Sequence, residues 1–140
     1  MKVRLQQEKV LLFLPAENIG NLYDSFTKVC TRCHIACQVV PNGCLDQPIE
    51  NWLSVSLQET EAESPALPGP MLLFCGLSSS KLSKVLETMR QENVPPIRHK
   101  AVLTDHNRTW TPRALYEELE KEDRAIREAA NRQAAGGKNA

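Results

Sequence analysis

The sequence predicts an α/β fold built from two similar units, and two observations support that prediction. First, the continuous apolar runs 10–14 and 71–75 have the length of buried strands. Second, each run is followed by apolar residues at helical spacing, a second strand, a polar turn and a proline that begins another helix. We interpret the units as pseudo-repeats, 1–53 and 71–132, formed by tandem duplication. The alternative is coincidence, since any alternating α/β chain contains these parts in this order.

The first unit contains the strand at 10–14 and a helix that Pro15 is expected to open. Its second strand is predicted at 35–40, and Pro48 marks a weak start for the next helix. The apolar stripe of the first helix consists of Ile19, Leu22, Tyr23, Phe26, Val29, Cys30 and Cys33.

The second unit repeats this order with clearer boundaries. Pro95 and Pro96 end its first helix, and the second strand is predicted at 97–103. Thr111 can accept an amide hydrogen bond at the start of the last helix, and Pro112 fits the first helical position, where no N–H is needed. The apolar stripe of the first helix of this unit consists of Leu82, Val85, Leu86 and Met89.

The predicted domain organisation is one domain, 1–132, that contains both units. A polar linker at 54–70, rich in Glu, Ser and Pro, is expected to lack regular structure. We expect the stripe of the last helix to thin after Leu119, so that its last turns project from the body, and 133–140 to form a disordered tail.

The strand pattern predicts a ferredoxin-like, split βαβ sandwich with an extra C-terminal helix, in which the first strand of each unit is central and the second lies at an edge. Charges at 97–102 suit an exposed edge. Continuous apolar strands need cover on both faces of the sheet. We therefore expect either an intramolecular cap from the segments that start at Pro48 and Pro112, or a homodimer. The alternative fold is a doubly wound, mostly parallel sheet.

Composition and charge exclude several classes of function. Lys+Arg and Asp+Glu both total 17, which gives no net charge and argues against nucleic acid as a partner. The longest apolar run is far too short for a membrane span, and Glu8 and Lys9 before it do not suit a secretory signal. We predict a cytoplasmic protein. Five cysteines, an odd number, favour reduced thiols over a disulfide framework.

The sequence Cys30-Thr31-Arg32-Cys33-His34 matches the attachment motif of c-type haem, but that chemistry accompanies export. Because Cys30 and Cys33 lie on an apolar stripe, we favour core packing and predict no cofactor. Thiolate and imidazole ligands suit zinc, so a metal or thiol site is the alternative. Its candidate residues are Cys30, Cys33, His34 and Cys37.

The turn after the second strand of the second unit is the candidate ligand-binding site. It contains Asp105, His106, Asn107, Arg108 and Trp110. An arginine can bind an anion, a histidine titrates near neutral pH, and α/β sheets bind ligands near strand ends. The alternative is structural, since Asp and Asn are ordinary turn residues and a tryptophan can staple a helix entry.

Residues 76–81 lie between a strand and a helix, where amides and hydroxyls can hold a phosphate. The Walker spacing is absent, so we favour serines that cap the helix.

A family resemblance rests on the run Lys100-Ala101-Val102-Leu103-Thr104, with Asn107 and Trp110 after it. Over 71–123 the chain resembles the bacterial, largely Firmicutes, family called domain of unknown function DUF3783. That family carries no assigned activity, so the resemblance implies a bacterial source and a cytosolic setting, and no catalytic residue.

The predicted function is a non-enzymatic protein-interaction or ligand-binding module that self-associates or binds a partner through the 104–110 turn. No Ser/His/Asp order, paired carboxylates or metal triad is apparent in the sequence. The alternative is the metal or thiol site. A third hypothesis, an anion-binding enzyme that uses Arg108, His106 and the 76–81 loop, requires both segments at the same end of the sheet.

Overall fold

The computed structural model describes residues 8–17, 19–52 and 64–137. Within these ranges a four-stranded sheet and three α-helices form the fold. Short 3-10 turns occupy Asn42–Cys44, Ile49–Trp52 and Asn107–Thr109. In chain order the elements are β1 Lys9–Phe13, α1 Leu22–Cys33, β2 Ala36–Val39, β3 Met71–Cys75, α2 Ser79–Gln91, β4 His99–Val102 and α3 Pro112–Gly137.

The strand order of the sheet is β2-β1-β3-β4. β1 is parallel to β2, β3 is parallel to β4, and the two central strands are antiparallel with Leu11 opposite Leu73. The mixed α/β class is therefore confirmed. The first strand of each unit is central and the second lies at an edge, as predicted.

The predicted split of the βαβ units is not observed. β1 and β2 are direct neighbours, with Val10 opposite Cys37, and β3 and β4 are direct neighbours, with Leu72 opposite Lys100. Each helix returns the chain to the adjacent position of the sheet, so no strand lies between the two strands of a unit. The arrangement also differs from a doubly wound sheet, because α1 and α2 pack on the same face.

The face covered by α1 and α2 holds the first core cluster. Alternate strand residues point to this face because side chains alternate along a strand. Arg32 on α1 donates to Glu92 after α2 at 2.9 Å, which joins the two helix ends. The main residues of the cluster are Val10, Leu12, Phe26, Val29, Leu72, Phe74, Val85 and Met89.

The opposite face of the sheet is covered by the same chain. Ile49 follows β2, Leu67 precedes β3, and Leu115 and Tyr116 belong to the first turns of α3. The intramolecular cap that the sequence allowed is present, so the central strands need no second subunit for cover. The strand residues beneath the cap are Leu11, Phe13, Met71, Leu73 and Cys75.

Both crossover helices end in the same way. His34 and Asn93 each have φ of 57°, the left-handed conformation that commonly ends a helix. After them, Ile35 N–H donates to Cys30 O at 3.0 Å and Val94 N–H donates to Met89 O at 3.1 Å. The equivalent ends support the interpretation of two pseudo-repeats.

Two predicted helix starts were wrong. α1 begins at Leu22 and not at Pro15, because Gly20 adopts φ of +45°, which interrupts a right-handed helix. The described residues after Pro48, Ile49–Trp52, form a 3-10 turn in place of the predicted α-helix start.

The last helix projects beyond the body, as predicted. α3 has 26 residues, and its side chains from Arg124 to Gln133 are exposed, with Ile126 69% exposed. The helix continues through Gly137 into the segment predicted as a tail at 133–140, of which 138–140 lie outside the described residues. Of the predicted linker 54–70, residues 54–63 lie outside the described residues, and Leu67 in the remainder is buried.

Candidate functional site

Asn107 holds the predicted ligand-binding turn together. Its Oδ1 accepts the Thr104 N–H at 2.9 Å, its Nδ2 donates to Val102 O at 3.0 Å, and its own N–H donates to Thr104 Oγ1 at 3.0 Å. The residue is buried. Since both ends of the amide are used, Asn107 serves the fold and offers little to a ligand.

Arg108 is neutralised within the chain. Its Nε lies 3.6 Å from Glu50 Oε1, and a terminal nitrogen lies 3.8 Å from Asp105 Oδ1. Both distances are those of ion pairs and not of short hydrogen bonds. An anion would have to compete with two carboxylates for this guanidinium, so the geometry does not favour an anion site.

Trp110 is a structural staple. Its backbone N–H donates to Asn107 O at 3.0 Å, and its backbone carbonyl accepts the Ile49 N–H at 2.9 Å. Its ring packs against the core cluster on the face of the sheet that α3 covers. The ring of His106 meets it edge-on, with centroids 5.1 Å apart. The structure thus brings the five predicted residues together, but only Asp105 and His106 among them are exposed.

The 76–81 loop lies at the same end of the sheet as this turn, because β3 and β4 are parallel and each segment follows the carboxyl end of its strand. The chain leaves β3 toward α2 on one face and leaves β4 toward α3 on the other, which is the arrangement of a topological switch point. The polar groups of the loop are engaged, however. Ser78 Oγ accepts the Lys81 N–H at 3.1 Å, as the helix-cap interpretation predicts, and Lys81 Nζ lies 3.6 Å from Glu8 Oε1.

The structure does not gather the four predicted metal ligands around one point. Cys30 and Cys33 are buried, whereas His34 is exposed and ends α1. Cys33 Sγ lies 3.5 Å from Thr88 Oγ1 on the neighbouring helix. Among the described residues, no group of three or more His, Cys, Asp or Glu side chains is placed to hold a metal ion. All five cysteines are free.

Cys30 and Cys37 form a pair that the motif alone does not reveal. A hydrogen bond between their thiols raises the pKa of Cys30 far above its ordinary value, to which burial also contributes. The same bond lowers the pKa of Cys37. The spacing in the sequence places Cys37 outside the CxxC motif, and only the return of the chain from α1 into β2 brings the two sulfurs together.

A second cluster was missed at the sequence level. His99 Nε2 lies 2.7 Å from Glu120 Oε2, and the His99 ring lies 4.4 Å from that of Tyr116. Burial, and then Glu120, raises the pKa of Tyr116, while a backbone hydrogen bond with Gly69 and the charge of Arg98 oppose the rise. The alternation of β4 places His99 on the same face as Ala101, a signal that the neighbouring charges of 97–102 obscure in the sequence.

The two edges of the sheet differ in how they are protected. At β4, the outward Val102 carbonyl is occupied by Asn107 Nδ2, and Arg98 and Lys100 add charge beside the strand. β2 has the sequence Ala-Cys-Gln-Val, without any charge. Its outer edge has no strand beside it in the part of the chain that the structure describes.

The hydrogen bonds of β2 to β1 determine which of its backbone groups point outward. Ala36 N–H donates to Glu8 O at 3.4 Å, and Val40 N–H donates to Leu12 O at 3.0 Å. Alternate residues of a parallel strand bond to the same neighbour. The N–H and C=O groups of Cys37 and Val39 therefore point away from β1, toward the open edge.

The described residues form a mixed α/β fold with two polar clusters, the 104–110 turn and the group of His99, Tyr116 and Glu120. Residues 70–126 match the family model described as domain of unknown function (DUF3783). This match confirms the resemblance inferred from the sequence over 71–123, and it spans β3, α2, β4 and the first half of α3. No curated protein and no solved structure was found to match the chain. No helix in the described ranges has the length and apolar character to cross a membrane.

Proposed function

We propose that this chain is a non-enzymatic interaction module of the bacterial cytoplasm that self-associates as a homodimer through the β2 edge. The observation that carries the proposal is the outward backbone of Cys37 and Val39 on an uncharged edge strand. At the other edge, Asn107 Nδ2 occupies the Val102 carbonyl, and Arg98 and Lys100 add charge. An unpaired, uncharged edge is a template for a further strand. The proposal needs no cofactor and no nucleic acid.

A second copy of β2 fits this edge in one antiparallel register. With Gln38 of the two copies opposite each other, Cys37 of each copy lies opposite Val39 of the other. Residues that point outward then face each other and exchange main-chain hydrogen bonds. No like charges are opposed, because the strand carries none.

Exposed apolar side chains flank the same edge. Val39 is 37% exposed and Tyr23 on α1 is 50% exposed. Cys30 touches Cys37 on β2, and Tyr23 lies two helical turns before Cys30, so it projects from α1 on the side of this edge. Four-residue strands and two side chains bury a small area, so the expected dimer is weak and forms only at high protein concentration.

Sedimentation equilibrium over a wide range of concentration tests the proposal. Val39→Pro removes the outward N–H without touching the ladder to β1, because proline is tolerated at edge strands. Val39→Thr keeps that N–H and is the matched control. We expect wild type and Val39→Thr to dimerise and Val39→Pro to stay monomeric. A wild-type monomer at the highest concentration, or dimers of equal stability in both variants, would reject the proposal.

A further control separates this edge from α3, which carries the exposed apolar side chain of Ile126. Ile126→Glu should leave the dimer unchanged. If this variant dissociates the dimer and Val39→Pro does not, the interface is on α3 and the β2 assignment is wrong.

We also propose that the chain forms one domain of two pseudo-repeats, 1–53 and 71–132, joined by the 54–70 linker. Its support is that each unit supplies two strands to one sheet and that α1 and α2 end in equivalent left-handed residues. The alternative that places ligand binding in the 104–110 turn is supported by the exposed side chains of Asp105 and His106.

A further inference from the structure

Cys30 and Cys37 come together because of the way α1 ends. His34 adopts the left-handed conformation, and Ile35 N–H donates to Cys30 O at 3.0 Å, so the chain turns back beneath the last turn of the helix. Cys37 then lies on β2 opposite Val10 and contacts the first core cluster, to which Cys30 belongs. Cys30 and Cys37 thus pack in the same cluster, close enough for each thiol to change the pKa of the other.

The two thiols differ in access to solvent. Cys30 is 3% exposed, whereas Cys37 is partly exposed on the edge strand. A solute therefore reaches Cys37 first. Cys33 is fully buried and lies against Thr88, so it has no such access.

We propose that Cys37 and Cys30 form an oxidation site for hydroperoxides, in which Cys37 reacts first and Cys30 closes a disulfide. The site is distinct from the self-association surface, because the side chains react while the backbone of β2 pairs. The inference does not depend on the dimer.

The reaction is balanced by the hydroperoxide alone. The Cys37 thiolate attacks one peroxide oxygen and the O–O bond breaks, so that Cys37 becomes a sulfenic acid. The other oxygen leaves as water or an alcohol, with the proton that the Cys37 thiol gave up. The Cys30 sulfur then attacks the Cys37 sulfur, and the sulfenic hydroxyl leaves as water with the Cys30 proton. Two thiols are oxidised to one disulfide, and the peroxide is reduced by two electrons.

The acidity of the pair agrees with these roles. The hydrogen bond from Cys30 lowers the pKa of Cys37, which increases the thiolate fraction of the exposed partner. The hydrogen bond with Cys37 is the largest cause of the raised pKa of Cys30, and this cause is removed when the Cys37 thiolate becomes a sulfenic acid, so Cys30 can give up its proton in the second step.

The test uses dilute, fully reduced protein treated with hydrogen peroxide and digested with trypsin without reduction. Cleavage after Lys28 and Arg32 releases Cys30 in peptide 29–32, separate from the other four cysteines in peptide 33–81. We expect these two peptides to become linked. The link should be lost in Cys37→Ser and Cys30→Ala and retained in Cys33→Ala.

A sulfenic acid trap supplies the second measurement. In Cys30→Ala the Cys37 sulfenic acid cannot be resolved, so a dimedone adduct should accumulate on Cys37. If Cys30→Ala does not fold, the loss of the link in Cys37→Ser decides. A link that persists in Cys37→Ser, or folded wild-type protein whose Cys37 is not consumed by peroxide, would overturn the proposal.

Discussion

Replacement of Asn107 by alanine tests whether the 104–110 turn is structural. The substitution removes the bond from Thr104 N–H to Oδ1 and the bond from Nδ2 to Val102 O, and leaves Asn107 N–H to Thr104 Oγ1 in place. A net hydrogen bond contributes about 1 kcal/mol, and a buried partner left unpaired costs about 1–3 kcal/mol. We therefore expect Asn107→Ala to lower the free energy of unfolding by about 2–3 kcal/mol.

Urea unfolding followed by circular dichroism measures this change through the midpoint at constant slope. Asp105→Ala, two residues earlier at a fully exposed side chain, is the control and should change stability by less than about 0.5 kcal/mol. Asn107→Asp should also destabilise, because it keeps the acceptor but loses the donor to Val102 O. A stability loss for Asn107→Ala no larger than that of the control would refute the structural role.

Further predictions concern buried and paired groups elsewhere. Burial raises the pKa of Cys75 from 9.0 to about 11, so between these pH values the folded state holds a proton that the unfolded chain loses. About 3 kcal/mol of stability should therefore be lost as the pH rises through this range. Urea unfolding at alkaline pH measures the loss, and Cys75→Ala should abolish it. Hydrogen bonds from Arg113 and Ser64 lower the pKa of Asp46. The Asp46–Arg113 interaction therefore stabilises the folded state above the ordinary carboxyl pKa, and this stabilisation is lost as the pH falls through the lowered pKa. Arg113→Gln should shift acid unfolding to higher pH. A Cβ at Gly69 would lie 3.1 Å from the Tyr116 hydroxyl oxygen, so Gly69→Ala should cost about 1 kcal/mol, and less in a Tyr116→Phe background, as measured by thermal unfolding.

Much of the fold was predictable from local pattern. The run 71–75 was predicted as a strand and is β3, because an apolar segment of five residues bounded by Pro70 and Gly76 is too short for a helix and has the length of a buried strand. The helix cap at Ser78 was also predictable, because it depends on residues that are neighbours in the sequence. The direct pairing of β1 with β2 was not predictable, since the same strands and helices fit a split order, and the choice depends on long-range packing.

The candidate sites were less predictable for the same reason. Asn107 was identified as a polar turn residue, but its use by Val102 O depends on the position of the β4 edge. The contact of Cys30 with Cys37 depends on a left-handed turn at His34, a conformation that non-glycine residues adopt rarely. The residue types that can form a site are visible in the sequence, but the tertiary structure determines which of them come into contact.

The most direct test of the self-association claim is hydrogen–deuterium exchange at single-residue resolution as a function of protein concentration. The outward amides of Cys37 and Val39 should gain protection as concentration rises, while the Val102 amide on the opposite edge should exchange at a constant rate. Protection that does not change with concentration at Cys37 and Val39, in protein that sedimentation shows to be dimeric, would contradict the account and place the interface elsewhere.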